Sequence, residues 1–187
     1  MTNAPLIALE LPTPAGTLAV LVSPEDGVVR ASGFTAPSVL LGRLPLPLRA
    51  RGTVPAPSGA GGADDVGPSG GSVRALGTVR DAVKAYSAGD FAALDTVVVE
   101  QDGGPFFQEV WRAMREIPAG TTLSYAELAA RAGNPGAVRA AGSACARNLL
   151  APFLPCHRVL RSDGALGGYA YGLAVKDALL AHEGARP

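Results

Sequence analysis

The stretch Ser124-Tyr125-Ala126-Glu127-Leu128-Ala129-Ala130-Arg131-Ala132-Gly133-Asn134-Pro135-Gly136-Ala137-Val138-Arg139-Ala140-Ala141-Gly142-Ser143-Ala144-Cys145-Ala146 decides the fold of this chain. The Ser124 side chain can accept from the free N–H groups of a first helical turn, and Glu127 follows three residues later. That is a capping box, and it predicts a helix over 124–132. Gly133-Asn134-Pro135-Gly136 is turn chemistry, and a second helix is predicted over 136–146. Helix, short glycine-containing turn, helix is the spacing of a helix-turn-helix. The same spacing describes helix pairs that only pack together. Arg139 falls early in the second helix, where a basic side chain can project from an exposed face. Its plainer reading is a solvated helix charge.

Upstream, Phe107, Val110, Trp111, Met114 and Ile117 recur at helical spacing and predict an amphipathic helix over 106–117, stopped by Pro118-Ala119-Gly120. Asp102-Gly103-Gly104-Pro105 is the best boundary in the chain. It divides an N-terminal domain, 1–102, from a C-terminal domain, 103–187. In the first, Leu6–Leu9 and Leu18–Val22 read as strands around the turn Thr13-Pro14-Ala15-Gly16, with a third strand over 28–34. Residues 50–72 are rich in Gly, Pro, Ala and Ser and read as a flexible insert without regular structure. Val73, Leu76, Val79, Val83 and Tyr86 predict a helix over 73–88. Leu94 to Val99 reads as a strand or extended linker.

The 187 residues are 48% hydrophobic and 17% charged, enough apolar content for a packed core and too few charges for an extended disordered chain. The formal net charge of zero hides an asymmetry. Residues 1–102 carry 7 Lys and Arg against 10 Asp and Glu, a net of −3; residues 103–187 carry 9 against 6, a net of +3. A basic C-terminal half permits contact with a polyanion. Two cysteines are few for a secreted disulfide framework, the N-terminus shows no signal-peptide pattern, and no apolar stretch approaches the roughly 20 residues that span a bilayer. A reducing cytoplasm is expected, with thiols free for chemistry and no membrane partner.

The densest cluster of reactive groups is Pro155-Cys156-His157-Arg158-Val159. A thiol is a poor nucleophile at neutral pH until its pKa falls, and an adjacent imidazole and guanidinium can bring that about. A buried core cysteine is the competing reading. Pro152-Phe153-Leu154-Pro155 leads into Cys156 and stiffens the approach, as the floor of a pocket would require. Glu183, beside His182, is a carboxylate that would orient His157 if the fold returned it to the site. Otherwise the pair is a helix-terminal glutamate and a surface histidine. Cys145, Cys156, His157 and His182 could in principle ligate zinc, but their spacing matches no paired zinc pattern, and no metal is expected.

These motifs together resemble the O6-alkylguanine-DNA alkyltransferases, the methylated-DNA–protein-cysteine methyltransferases. The similarity runs from Phe107-Gln108-Glu109-Val110-Trp111 through Ile117-Pro118-Ala119-Gly120, Ser124-Tyr125, Arg139-Ala140, Arg147-Asn148, Pro155-Cys156-His157-Arg158-Val159, Ser162-Asp163-Gly164 and Gly168-Tyr169 to Gly172-Leu173, Lys176 and Leu179-Leu180. The N-terminal half is similar only loosely, through Thr13-Pro14-Ala15-Gly16 before a strand.

The resemblance implies an α+β protein: a small N-terminal ribonuclease H-like β-sheet domain and a C-terminal winged helix-turn-helix domain carrying the site. It implies direct reversal of O6-alkylguanine in double-stranded DNA, with O4-alkylthymine a further candidate. The alkyl group passes once per molecule to Cys156, with no cofactor and a monomeric protein. His157 matches the general base and Glu183 the carboxylate that orients it. Tyr125 matches a donor to the departing base that also crowds the target phosphate. Arg139 matches the finger that fills the stack after base flipping, with Ala140 and Arg147 as further DNA contacts. Asn148, Pro155 and Arg158 match residues bracing the active-site turn, and Tyr169, Ala170 and Lys176 match residues around the base. Leu149 and Ala151 stand where the family often has proline, Ala170 where it is often polar, and Tyr171 where some members have glycine. Ala170 would then offer only its backbone N–H to O6, and Tyr171 with Ala151 would favour methyl over benzyl. Cys145 has no catalytic counterpart and reads as a small buried residue. A damage sensor without transfer, a transcriptional regulator and a cysteine hydrolase are the rival functions. Cys156 argues against the first and the short chain against the second, while turnover would mark the third.

Overall fold

A computed structural model describes residues 4–57 and 70–185. Strands β1 (Leu6–Thr13) and β2 (Gly16–Val22) form an antiparallel hairpin. Strand β3 (Val29–Gly33) pairs antiparallel with β2, and the short β4 (Thr53–Pro55) pairs parallel with β1, giving the order β3-β2-β1-β4. The hairpin turn falls at Thr13-Pro14-Ala15-Gly16, where the Thr13 hydroxyl donates to the Gly16 carbonyl at 2.7 Å. Two short helices, α1 (Pro37–Arg43) and α2 (Leu46–Arg49), lie between β3 and β4. Their prolines sit in the first turn, where a missing N–H costs nothing.

The 50–72 insert is corrected at both ends. Thr53–Pro55 is ordered as β4, because its backbone completes the edge of β1, and helix α3 (Gly70–Ser87) already begins at Gly70. Residues 58–69 lie outside the described residues. Along α3, Leu76, Val79, Val83 and Tyr86 are buried, as their spacing predicts, while the Val73 side chain lies outside the described residues. Leu94–Val99 is no strand: a 3-10 turn covers Phe91–Thr96, and only Val99 bridges to Val29.

Helix α4 (Pro105–Arg115) buries Val110, Trp111, Ala113 and Met114, and Ile117 is buried just beyond it. Each large apolar side chain so removed from water contributes about 1.5–3 kcal/mol. The Trp111 indole N–H donates to the Ala144 carbonyl at 3.0 Å and so ties α4 to α6 (Val138–Ala146). Helix α5 (Tyr125–Arg131) carries the predicted capping box: Glu127 N–H donates to Ser124 Oγ at 3.2 Å, and Ser124 N–H to the Glu127 carboxylate at 2.7 Å. Gly133, at φ +81°, lets the chain reverse after α5 into the turn that leads to α6. Beyond a 3-10 turn at Cys156–Arg158, strand β6 (Val159–Leu160) pairs parallel with β5 (Leu123–Ser124), and helix α7 (Leu173–His182) closes the chain.

The two halves share one apolar core. It runs from Leu9, Val20 and Tyr86 to Trp111, Met114, Leu150 and Phe153. The Ser32 N–H also donates to the Leu149 carbonyl at 2.7 Å, so β3 is stitched directly to the segment that precedes the reactive turn.

Candidate active site

Four segments meet at one cavity of about 420 Å³. Tyr125 comes from the start of α5; Gly142, Cys145 and Ala146 come from α6; Asn148 and Cys156 form the floor; and Gly168 to Tyr171 form the far wall. That volume falls within the range of small-molecule pockets. Cys156 opens a 3-10 turn whose three residues are all buried. Asn148 holds this turn in place. Its side-chain N–H donates to the Leu154 carbonyl at 2.8 Å, while its Oδ1 accepts from Leu150 N–H at 2.9 Å and from Gln101 Nε2 at 3.3 Å.

Behind the thiol stands a buried polar cluster. His157 Nε2 lies 2.9 Å from Glu183 Oε1. Arg158 donates to both Glu183 oxygens, from Nε at 2.7 Å and from its terminal nitrogen at 2.9 Å, and also to the Ile117 carbonyl. Tyr86 O–H donates to Glu183 Oε1 at 2.8 Å. Burial pushes the Glu183 carboxyl up, but the hydrogen bonds and charges of His157 and Arg158 outweigh it and hold the group down at about 2. Glu183 is therefore ionised at neutral pH and accepts from His157 Nε2. The other ring nitrogen, Nδ1, is left as a lone-pair acceptor, buried and without a hydrogen-bond partner among the described residues.

Burial lowers the His157 pKa and raises that of the Cys156 thiol, so both rest neutral near pH 7. Contacts from Asn148, Lys176 and Tyr169 pull the thiol partly back down. Burial also raises the phenols of Tyr125 and Tyr169, which stay protonated and able to donate. The Tyr169 hydroxyl is buried beside the Cys156 thiol, whose ionised form it favours.

Several expected site residues land elsewhere. Lys176 does not line the cavity: its buried ammonium donates to the Val159 carbonyl at 2.7 Å and to the Leu166 carbonyl, fastening the loop between β6 and the far wall. Pro155 and Arg158 also lie behind the floor. Ala151 is fully buried in the core and cannot touch a pocket ligand. Cys145, read as buried, is only half-buried and lines the cavity, because its face of α6 turns toward Cys156. His182 is half-buried, with Nε2 2.8 Å from the Tyr86 carbonyl. Among the described residues no three His, Cys, Asp or Glu are grouped to hold a metal ion. No helix there is long and apolar enough to cross a membrane.

Arg139 is exposed at the start of α6, and Ala140 beside it is half-exposed. Arg147 is exposed at the end of that helix, its guanidinium 5.5 Å from the Phe107 ring centre. Ala170 is exposed at the cavity mouth. The sequence reading missed what the N-terminal half contributes. Tyr171 O–H donates to the Ser32 carbonyl at 3.1 Å and accepts from Arg43 at 3.2 Å, and Tyr86 reaches Glu183. Tyr86 carried only an apolar-spacing signal, and Arg43 and Ser32 carried none.

The family model described as "6-O-methylguanine DNA methyltransferase, DNA binding domain" matches residues 105–185. The chain is 45% identical over 108 residues to a methylated-DNA–protein-cysteine methyltransferase of Salmonella typhimurium, covering 58% of this chain and 63% of that one. The matched stretch thus spans somewhat under two thirds of that relative. Among solved structures, the O6-methylguanine methyltransferase of Mycobacterium tuberculosis is 32% identical, with a TM-score of 0.67 over 98% of this chain and 94% of that one. The OGT of the same organism, solved in complex with DNA, is 29% identical, with a TM-score of 0.69 over 95% of this chain and 92% of that one. With a thiol on the lining of the pocket, a buried imidazole–carboxylate pair beginning at the next residue of the chain, and likeness along nearly the whole chain, the protein belongs to the O6-methylguanine DNA methyltransferase family.

Proposed function

We propose that the protein repairs O6-alkylguanine in double-stranded DNA by moving the alkyl group to Cys156, once per molecule. The observation that carries this reading is the Cys156 thiol at the floor of the cavity, the one of its two lining thiols that has a carboxylate-held histidine next to it in the chain. The Cys156 sulfur attacks the alkyl carbon, a C–S bond forms, and the C–O6 bond breaks with its electron pair going to the guanine. The thiol proton passes to His157 Nδ1 through a water. The resulting imidazolium is stabilised by Glu183. Tyr125, still protonated, donates to the departing base and lowers the cost of its developing charge. The thioether is not hydrolysed, so the protein is consumed.

In this reading Arg139, on the exposed start of α6, enters the stack when the target base is flipped into the cavity. Ala140, Arg147 and Tyr125 contact the backbone around it, and Tyr169 and the Ala170 N–H meet the base. Asn148, Pro155, Arg158 and Lys176 brace the turn and the walls. We read residues 103–187 as a winged helix-turn-helix domain and residues 1–102 as a ribonuclease H-like domain, in a cytoplasmic monomer.

Incubation with a duplex carrying isotope-labelled O6-methylguanine tests this. One methyl group per protein on the Cys156 peptide is expected. Release of product with turnover, or no transfer at all, overturns it.

A further inference from the structure

We propose that Tyr86 is a positioning residue for alkyl transfer: its hydroxyl, donated to the Glu183 oxygen that holds His157, tunes the proton affinity of that histidine from the N-terminal half of the chain. The proposal rests on the reading above, in which His157 is the base.

Glu183 Oε1 receives three donors: Tyr86 O–H at 2.8 Å, His157 Nε2 at 2.9 Å and an Arg158 nitrogen at 2.9 Å. Its other oxygen receives Arg158 Nε at 2.7 Å. Tyr86 stands in the last turn of α3, entirely buried, and is fixed twice more. Its ring meets those of Phe91 and His182 edge-on at 5.7 and 5.2 Å, and its carbonyl accepts from His182 at 2.8 Å. The hydroxyl is thus aimed at the carboxylate by the packing of its ring and the anchoring of its carbonyl.

A carboxylate shared among more donors offers less negative charge to each of them. The charged groups that act on His157 are Glu183, which favours its cation, and Arg158 and Lys176, which oppose it. Tyr86 enters this balance through Glu183. Burial and the Glu183 charge keep the phenol far above its usual range, so it acts as a fixed neutral donor at every working pH. Removing the hydroxyl returns electron density to Glu183 and makes the His157 cation easier to form. The base is then lost to protonation at a higher pH.

Tyr86→Phe keeps the ring and deletes only the hydrogen bond. The acid limb of the single-turnover methyl-transfer rate is expected to move to higher pH by about half to one unit, with the high-pH plateau within about threefold of the parent. The His157 ring titration, followed by NMR in unreacted protein, is expected to move the same way. In a Glu183→Gln background, Tyr86→Phe is expected to move neither. An unshifted His157 titration would overturn the proposal, as would a rate loss equal at all pH values with an unshifted limb. Absence of methyl transfer by the parent protein would instead overturn the functional reading, and the NMR titration would then decide on Tyr86 alone.

Discussion

His157 Nε2 stands 2.9 Å from Glu183 Oε1, and both side chains are completely buried. The contact orients the ring and leaves Nδ1 as the nitrogen that carries a free lone pair, the proton acceptor of the proposed reaction. Glu183→Gln keeps the shape but loses the charge that stabilises the imidazolium. Methyl transfer is expected to fall about 10²- to 10⁴-fold, measured as the single-turnover rate on a methylated duplex. It also strands the buried Arg158 guanidinium, at a cost of about 3–5 kcal/mol.

The same pair sets a pH dependence of stability. The Glu183 carboxyl is held at about 2 in the folded protein against 4.5 for an ordinary glutamate, so the folded state binds its proton less readily than the unfolded one. That stabilisation is complete above about pH 4.5 and is lost as pH falls toward 2. The stability of the parent, measured by chemical denaturation, is expected to fall steeply with pH in this window, and that of Glu183→Gln to fall less steeply. Equal slopes would remove Glu183 as the source.

Both thiols line the cavity, but only Cys156 sits next to a base and on the turn that Asn148 holds. Burial pushes the Cys145 thiol above its usual range, with no adjacent imidazole to take its proton. Cys156→Ala is expected to abolish transfer while leaving affinity for alkylated duplex largely intact. Peptide mass spectrometry of the parent after reaction is expected to place the alkyl group on the Cys156 peptide and none on Cys145.

Arg139 is exposed at the start of α6, and its guanidinium makes no hydrogen bond or ion pair with any described residue. If it fills the stack behind a flipped base, Arg139→Ala removes help worth a few kcal/mol on a duplex and nothing on a free base. Single-turnover rates are expected to drop far more on duplex DNA than on free O6-methylguanine. An equal loss on both would assign Arg139 to the pocket or to folding.

Much of this was legible in the chain because local chemistry announced it. The capping box of Ser124 and Glu127, the apolar spacing of α4 and the Cys156-His157 pair are all readable within a few residues. What stayed hidden depends on distant segments. The contact of Glu183 with His157, across 26 positions, was legible only through the family resemblance, and that of Tyr86 with Glu183, across 97, not at all, since no periodicity encodes such pairings. The short helix α1 was hidden by low apolar contrast, since only Leu40 within it is buried. Lys176 and Ala151 were misplaced because a motif fixes a position in the chain but not the direction of its side chain.

The width of the cavity depends on Tyr171, and the grip on Tyr171 comes from the N-terminal half. Its hydroxyl is held by the Ser32 carbonyl and Arg43, and its ring packs edge-on against Phe34 at 6.0 Å and Tyr169 at 5.6 Å. Gly33 leaves the room for this: a Cβ there would lie 2.1 Å from the Tyr171 oxygen. The wall is therefore rigid, and a bulky substituent on O6 must compete with it. Ala151 plays no part, since it is buried away from the cavity, so Tyr171 alone carries the effect. Tyr171→Gly is expected to speed reaction with free O6-benzylguanine by about 10- to 200-fold, the usual worth of fitting extra apolar bulk, while changing the methyl rate much less. Arg43→Ala, which loosens the same side chain without removing it, is expected to move the benzyl-to-methyl ratio in the same direction by a smaller factor. Competition between the two substrates, read as inactivation rates, measures both. Rapid inactivation of the parent by O6-benzylguanine would show that Tyr171 does not close the cavity.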